Sequence, residues 1–227
     1  DFDFLVDCGF KKTYVKSIRG VIKSTDFIIL THVDADHIAG AIPLIEDYPQ
    51  KIDFKTLYFN TPGKFKVTSV GGDISIGQAI FLDSILKEKE VDCRALVQGD
   101  ILQLSENSFI KVISPRNLEI TKYLEMHNEE VDKRQLGGEI STTRDIVETL
   151  EALAEKGDSY KSINSDIINA SSIAFIMNYR GYKMLILGDS HPLVVEEYLE
   201  SLGYSKENKL DLEIVKLSHH GSIKSIS

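Results

Sequence analysis

The chain has 227 residues, 42% hydrophobic and 27% charged, the size and balance of one large α/β domain or at most two small ones. No apolar run reaches the ~18–20 residues that a membrane span needs, and two cysteines, Cys8 and Cys93, are too few for a disulfide scaffold and suit small core positions. A formal charge of −9 and a pI near 5.2 argue against non-specific electrostatic capture of nucleic acid as the main task, though not against an enzyme that handles nucleic acid inside a metal-lined cleft.

In chain order, short β-rich runs alternate with helical patterns, which predicts α/β layering. Phe2–Val6 reads as a strand ending in Asp7-Cys8-Gly9. Lys12–Lys23 reads as a helix with Val15, Ile18 and Ile22 on its inner face. Phe27–Thr31 is a continuous apolar run of the kind buried between two layers. A short helix over Gly40–Glu46 and a strand over Thr56–Phe59 follow. Residues 60–77 hold Pro62 and four glycines and read as a connection that either turns or approaches a ligand. Gln78–Glu90 is a predicted helix, and Ile101–Leu104 and Phe109–Ile113 are predicted strands that Ser114-Pro115 interrupts. Residues 118–166 are polar and helical in pattern, with the clearest helix at Thr142–Lys156, and read as an insertion on the core fold. A hairpin over Ser172–Tyr179 and Tyr182–Leu187 turns at Arg180-Gly181. A helix over Pro192–Leu202 and a strand over Leu212–Leu217 close the pattern. The chain begins inside a strand and ends just after a polar motif, so we read residues 1–227 as a single domain belonging to a longer chain.

Three polar clusters come directly after apolar strands: Thr31-His32-Val33-Asp34-Ala35-Asp36-His37, Gly188-Asp189-Ser190-His191 and Ser218-His219-His220-Gly221-Ser222. Strand ends in layered α/β proteins are rigid and open onto a crevice, which is where binding groups gather. Five of the six histidines lie in these clusters, which scatter alone does not explain. His127, the sixth, falls in the polar insertion and reads as an exposed bystander. In the first cluster His32, Asp34, Asp36 and His37 are four metal-binding side chains within six residues. In a turn leading into a helix, His32 and Asp34 can face one cation while Asp36 and His37 face a second. Asp189 suits a bridge from another strand, and one histidine of the His219-His220 pair can close the second site. The plainer reading makes Asp36 the cap of a helix at His37–Ile45 and Asp189 the cap of the helix after His191. His191 either supports the site from behind or simply starts that helix.

Thr-His-x-Asp-x-Asp-His-x-x-Gly (Thr31 to Gly40), Gly188-Asp189 and Lys-Leu-Ser-His-His-Gly-Ser (Lys216 to Ser222) resemble the metallo-β-lactamase-fold hydrolases. Within them the resemblance is to the branch of the hydrolase domain of the DNA-uptake protein ComEC, and Phe-Leu-Val-Asp-Cys-Gly (Phe4 to Gly9) matches the strand that precedes the metal motif there. It implies an αββα sandwich with a dinuclear site on one edge, holding Zn²⁺ or Mn²⁺. Carried over, His32 and Asp34 hold one metal, Asp36, His37 and His220 the other, and Asp189 bridges. His220 is preferred to His219 because it directly precedes Gly221. Asp34 stands where the commoner pattern has a second histidine, and the family's middle histidine has no counterpart. That region reads Asn169-Ala170-Ser171-Ser172, much like the Asn-x-x-Ser of the ComEC branch, and makes the first metal's ligand set harder and more open.

Several functional expectations follow from that resemblance. The first is a hydrolase of phosphodiester bonds, a nuclease or nucleotide phosphodiesterase, in which Asp36 orients the attacking hydroxide and His219, His191 or Ser171 positions substrate or protonates the leaving group. The second keeps the metals but cleaves a lactone, lactam or thioester. The third is a module with a partly decayed site in a multi-protein assembly, since some relatives accompany ATPase partners in bacterial antiviral defence. Lys11, Lys12, Lys16, Arg19 and Lys23 form either a solvated helix face or a nucleic-acid track. Two unpaired cysteines suit the cytoplasm, whereas ComEC places its domain outside the membrane.

Overall fold

The computed structural model of the chain describes residues 2–61, 74–124, 162–163 and 166–221. Two sheets carry the fold. The first runs β1 (Phe4–Val6), β2 (Ser24–Leu30), β3 (Asp53–Phe59) and β4 (Cys93–Arg94), all parallel. The second runs β5 (Ile101–Ser105), β6 (Ser108–Ser114), β7 (Ala174–Tyr179) and β8 (Tyr182–Ile186) as antiparallel neighbours, and adds β9 (Ile214–Lys216) parallel to β8.

The two-residue period of each strand sorts its side chains between layers. Phe27 and Ile29 of β2 face a core shared with Ile110 and Val112 of β6 and Phe175 and Met177 of β7, so this core joins the sheets face to face. The alternate residues Ile28 and Leu30 face the opposite way, onto α3 (Ala41–Asp47) and α4 (Ile74–Glu88) through Leu44, Ile45, Leu82 and Leu86. On the far side, Ala174 and Ile176 pack against Val195 of the helix Pro192–Ser201, with Tyr198 and Leu199 at its margin. The layers therefore run helix, sheet, sheet, helix, which is the αββα sandwich expected from the sequence. Cys8 and Cys93 are both buried and free.

Several boundaries differ from expectation for physical reasons. The helix predicted over Lys12–Lys23 is a single turn, α1 (Lys11–Thr13), that widens into a π turn over Tyr14–Ile18. The wider turn puts Tyr14 inward, fully buried, and leaves Val15 exposed, because the Tyr14 hydroxyl donates to Asp47 (2.9 Å) on α3. Arg19 pairs with the same carboxylate (2.7 Å), so it leaves the basic stretch; Lys11, Lys12, Lys16 and Lys23 stay exposed. β4 is two residues long and carries no periodic signal of its own. The predicted connection at 60–77 lies outside the described residues over 62–73. Helical residues 117–124 (α5) open the predicted insertion, and Ile167–Ala170 (α6) follows it. Most of that insertion, with Thr142–Lys156 and His127, lies outside the described residues. No helix among the described residues is long and apolar enough to cross a membrane.

Candidate metal centre

Parallel pairing brings the three clusters together. β1 and β2 run parallel, so Asp7 and Thr31-His32 leave the first sheet at the same edge. β8 and β9 run parallel in the second, so Gly188-Asp189 and Ser218-His219-His220 leave at one edge as well. Backbone bonds join these ends: Ile173 N donates to Thr31 O (2.8 Å), and His219 N donates to Gly188 O (3.1 Å). Gly188 sits at φ +53 with the Ser172 hydroxyl where a Cβ would stand, 2.5 Å away, which brings the Asp189 loop close against the end of β2. Ser172 Oγ accepts from Asp189 N (3.0 Å), and Ser218 Oγ donates to Ser190 O (2.8 Å).

After β2 the chain enters the short helix α2 (Ala35–Ile38), with Asp34 at its N-cap position and Asp36 and His37 inside it. Asp36 therefore does not cap a helix at His37. Gly40 permits the next contact: its N donates to Gly9 O (2.7 Å), and a Cβ there would lie 2.3 Å from Cys8 O. Cys8 N donates to His37 O (2.9 Å), so the loop after β1 and α2 are held as one unit. Asp189 is not a cap either. The helix α7 (Pro192–Ser201) is capped by His191, whose Nδ1 accepts from Leu193 N (3.3 Å). Starting that helix is the role the structure gives His191.

Among the described residues, two groups of side chains meet with potential ligand atoms within 4.8 Å of one another: His32, His37 and Asp189, all buried, and Asp36, His37 and His220 on the more open side. Asp189 reaches both first-cluster histidines, with Oδ2 3.7 Å from His32 Nε2 and Oδ1 3.4 Å from His37 Nε2. Asp34 Oδ2 is 3.6 Å from His32 Nε2, Asp36 Oδ2 is 3.6 Å from His37 Nε2, and His220 Nε2 is 3.0 Å from Asp36 Oδ2. His219 stands further off, its Nε2 4.0 Å from Asp189 Oδ2. His219 and His220 both hold left-handed backbone angles (φ 45 and 56), a cost of roughly 1 kcal/mol or more each that is met where a fold fixes a working geometry.

Behind the histidines lies Asp7, whose part the sequence alone left unread. Its carboxylate accepts from Thr31 N (2.8 Å) and the Thr31 hydroxyl (3.0 Å), and it meets His37 Nδ1 at 2.7 Å. Thr31 Oγ also lies 3.1 Å from His32 Nδ1. One proton arrangement serves these contacts: His37 Nδ1–H donates to Asp7, the Thr31 hydroxyl donates to Asp7, and His32 Nδ1–H donates to Thr31 Oγ. It leaves the lone pairs of both Nε2 atoms aimed into the centre. His32 Nε2, His37 Nε2 and Asp189 Oδ1 are fully buried and have no hydrogen-bond partner. Buried polar atoms without partners are costly, and this nitrogen-and-oxygen donor set, with the rings oriented from behind, fits a divalent cation such as Zn²⁺ or Mn²⁺.

The charges agree. Burial pushes the Asp7 carboxyl up, but the hydrogen bond and charge of His37, with the Thr31 N–H, outweigh it and hold Asp7 below the ordinary carboxylate range. Burial likewise disfavours charge on His37, yet Asp7, Asp189 and Asp36 raise its affinity for a proton above the ordinary imidazole value. Asp34 is held low against its partial burial, chiefly by the His32 ring beside it.

Asn169, at the place of the missing middle histidine, is buried on α6. Its Nδ2 donates to Asp166 Oδ1 (3.1 Å) and lies 3.3 Å from His219 Nδ1. Ser171 donates to Ile168 O (2.7 Å) and is spent on closing that helix.

No protein-family model and no curated protein matches the chain. Among solved structures the chain is similar to zinc-bound PqqB from Methylobacterium extorquens, at 13% identity and a TM-score of 0.39, over 82% of this chain and 48% of that one. The chain thus spans about half the length of that protein.

Proposed function

We propose that this chain is a metal-dependent hydrolase that cleaves phosphodiester bonds in a nucleic acid or nucleotide. The observation that carries the reading is the buried pair His32 Nε2 and His37 Nε2, unpartnered and set against both oxygens of Asp189. In this reading His32 and Asp34 hold one ion, Asp36, His37 and His220 hold a second, and Asp189 lies between. When bound, two such ions supply a hydroxide from water near neutral pH and stabilise charge on a phosphoryl oxygen. The chain's own residues do the rest. Asp7 and Thr31 fix both imidazoles with Nε2 inward. Asp36, 3.0 Å from His220 on the open side, orients the attacking water. His219 lines that side beside Asp189.

Two cations stabilise negative charge building on a phosphoryl oxygen, which favours a phosphodiester substrate. The test incubates the purified chain, with Mn²⁺ or Zn²⁺, with DNA, RNA and bis(p-nitrophenyl) phosphate, beside a lactone and a chromogenic lactam. Metal-dependent diester cleavage, lost in Asp36→Ala and Asp189→Asn, is the expected result. Intact diesters with metal bound refute it, and turnover of the lactone or lactam moves the reaction to acyl transfer.

A further inference from the structure

We infer that Asp166 and Asn169 together set the tautomer of His219, making it a neutral hydrogen-bond donor facing the metal centre rather than a metal ligand or an acid. The inference deepens the hydrolase reading and rests on it for the centre that His219 faces. An ionised carboxylate only accepts hydrogen bonds, so Asp166 Oδ1, 3.1 Å from Asn169 Nδ2, requires the amide's nitrogen on its side. The same Nδ2 carries a second N–H and lies 3.3 Å from His219 Nδ1. That nitrogen must therefore accept, and the ring's proton sits on Nε2.

Turning the amide over does not rescue the other tautomer. It would press Asn169 Oδ1 against the Asp166 carboxylate. It would also move both N–H groups into the buried place where Oδ1 now has no partner. A ring protonated on both nitrogens meets the same obstacle, because Nδ1–H would point at the amide's own N–H. Nε2, the atom so protonated, stands 4.0 Å from Asp189 Oδ2, beyond hydrogen-bonding distance, on a side chain that is part-exposed. A proton there blocks coordination through Nε2. Of the pair, His220 is the one whose Nε2 lies with Asp36 and His37. A neutral Nε2–H of this kind can hold a phosphoryl oxygen without giving up its proton. Asn169 is a positioning residue in this scheme, acting through His219.

The deciding measurement is long-range ¹H–¹⁵N correlation on the full chain labelled with ¹⁵N-histidine, metal-free and then zinc-loaded, with His219 assigned from the spectrum of His219→Gln. The expected result is a pyrrole-type Nε2 and a pyridine-type Nδ1 for His219 in both states, with loss of that preference in Asn169→Leu. Inorganic phosphate added to the zinc form should shift Nε2–H. A proton on Nδ1 in the wild type, or a displacement of Nε2 on zinc binding that marks coordination, overturns the proposal even if Asn169→Leu fails to fold. In turnover of bis(p-nitrophenyl) phosphate, His219→Gln, which keeps a donor near Nε2, should stay within about tenfold of wild type while His219→Ala loses roughly 10²-fold in kcat. Equal losses in the two variants argue for an acid and against a donor. If no phosphodiester is cleaved at all, the spectra still decide the tautomer, so the two readings fail separately.

Discussion

Replacing Asp7 by asparagine changes few atoms and should disarm the centre. Asp7 sits at φ +58, a left-handed position that asparagine tolerates well, so the backbone has no reason to move. The variant amide can still accept from Thr31 N through its oxygen. Its NH₂ then faces His37 Nδ1, which stands 2.7 Å from the native carboxylate. His37 must accept there and carry its proton on Nε2, the atom the cation needs bare. Losing a group that orients a ligand from behind costs about 10–100-fold in metal affinity, or about 1.4–2.7 kcal/mol. Asp7→Ala differs in kind: it strands the Thr31 N–H and the His37 Nδ1–H in the interior, at roughly 1–3 kcal/mol for each donor. Competition with a chromophoric chelator measures affinity, and urea unfolding of the metal-free protein measures stability. Asp7→Asn should lose mainly affinity, and Asp7→Ala should lose both. An Asp7→Asn protein that binds zinc within twofold of wild type would refute the assignment of His37.

Gly40→Ala places a methyl 2.3 Å from Cys8 O, so α2 must separate from the loop after β1; a loss of about 1–3 kcal/mol in urea unfolding is expected, with weaker metal binding. Tyr14→Phe removes the buried hydroxyl that donates to Asp47 and should cost about 1–2 kcal/mol by the same assay. Burial pushes the Asp47 carboxyl up, but bonds from Lys51, Tyr14 and Arg19 outweigh it and hold the folded-state value below the ordinary one. Its stabilisation is therefore complete above the unfolded value of about 3.9 and disappears as pH falls through the lower folded value. Unfolding midpoints measured between about pH 6 and pH 2.5 should fall less steeply in Asp47→Asn than in wild type, and parallel curves would contradict this.

Much of the architecture was legible because strand burial follows a two-residue period. Phe27–Leu30 reads as a strand whose two faces are both buried, and the polar residues that follow it mark where it leaves the sheet. The clusters around His32, Asp189 and His219 stood out by composition at such ends, and the structure brings them to one place. What stayed hidden depends on contacts between distant residues. Val15, Ile18 and Ile22 fit a helical face, but the bond from Tyr14 to Asp47, 33 positions away, makes a π turn and puts Val15 in solvent. Asp7 reads as the polar end of a strand; its part emerges only when β1 pairs with β2 and sets it beside Thr31 and His37. Asp189 reads as a bridging carboxylate with a helix cap as its rival, and His191 as a support or a helix start; only the geometry separates the cap from the carboxylate that faces the histidines.

In the function proposed here, the buried nitrogens of His32 and His37 and the carboxylate of Asp189 are the heart of a two-ion centre. Elemental analysis of the purified chain after exposure to Mn²⁺ or Zn²⁺ tests it directly, with wild type beside Asp36→Ala and Asp189→Asn. Two equivalents per chain are expected in wild type, one or fewer in Asp36→Ala, and none in Asp189→Asn. Wild-type protein that holds no metal, or an Asp189→Asn protein that still holds two, would contradict it.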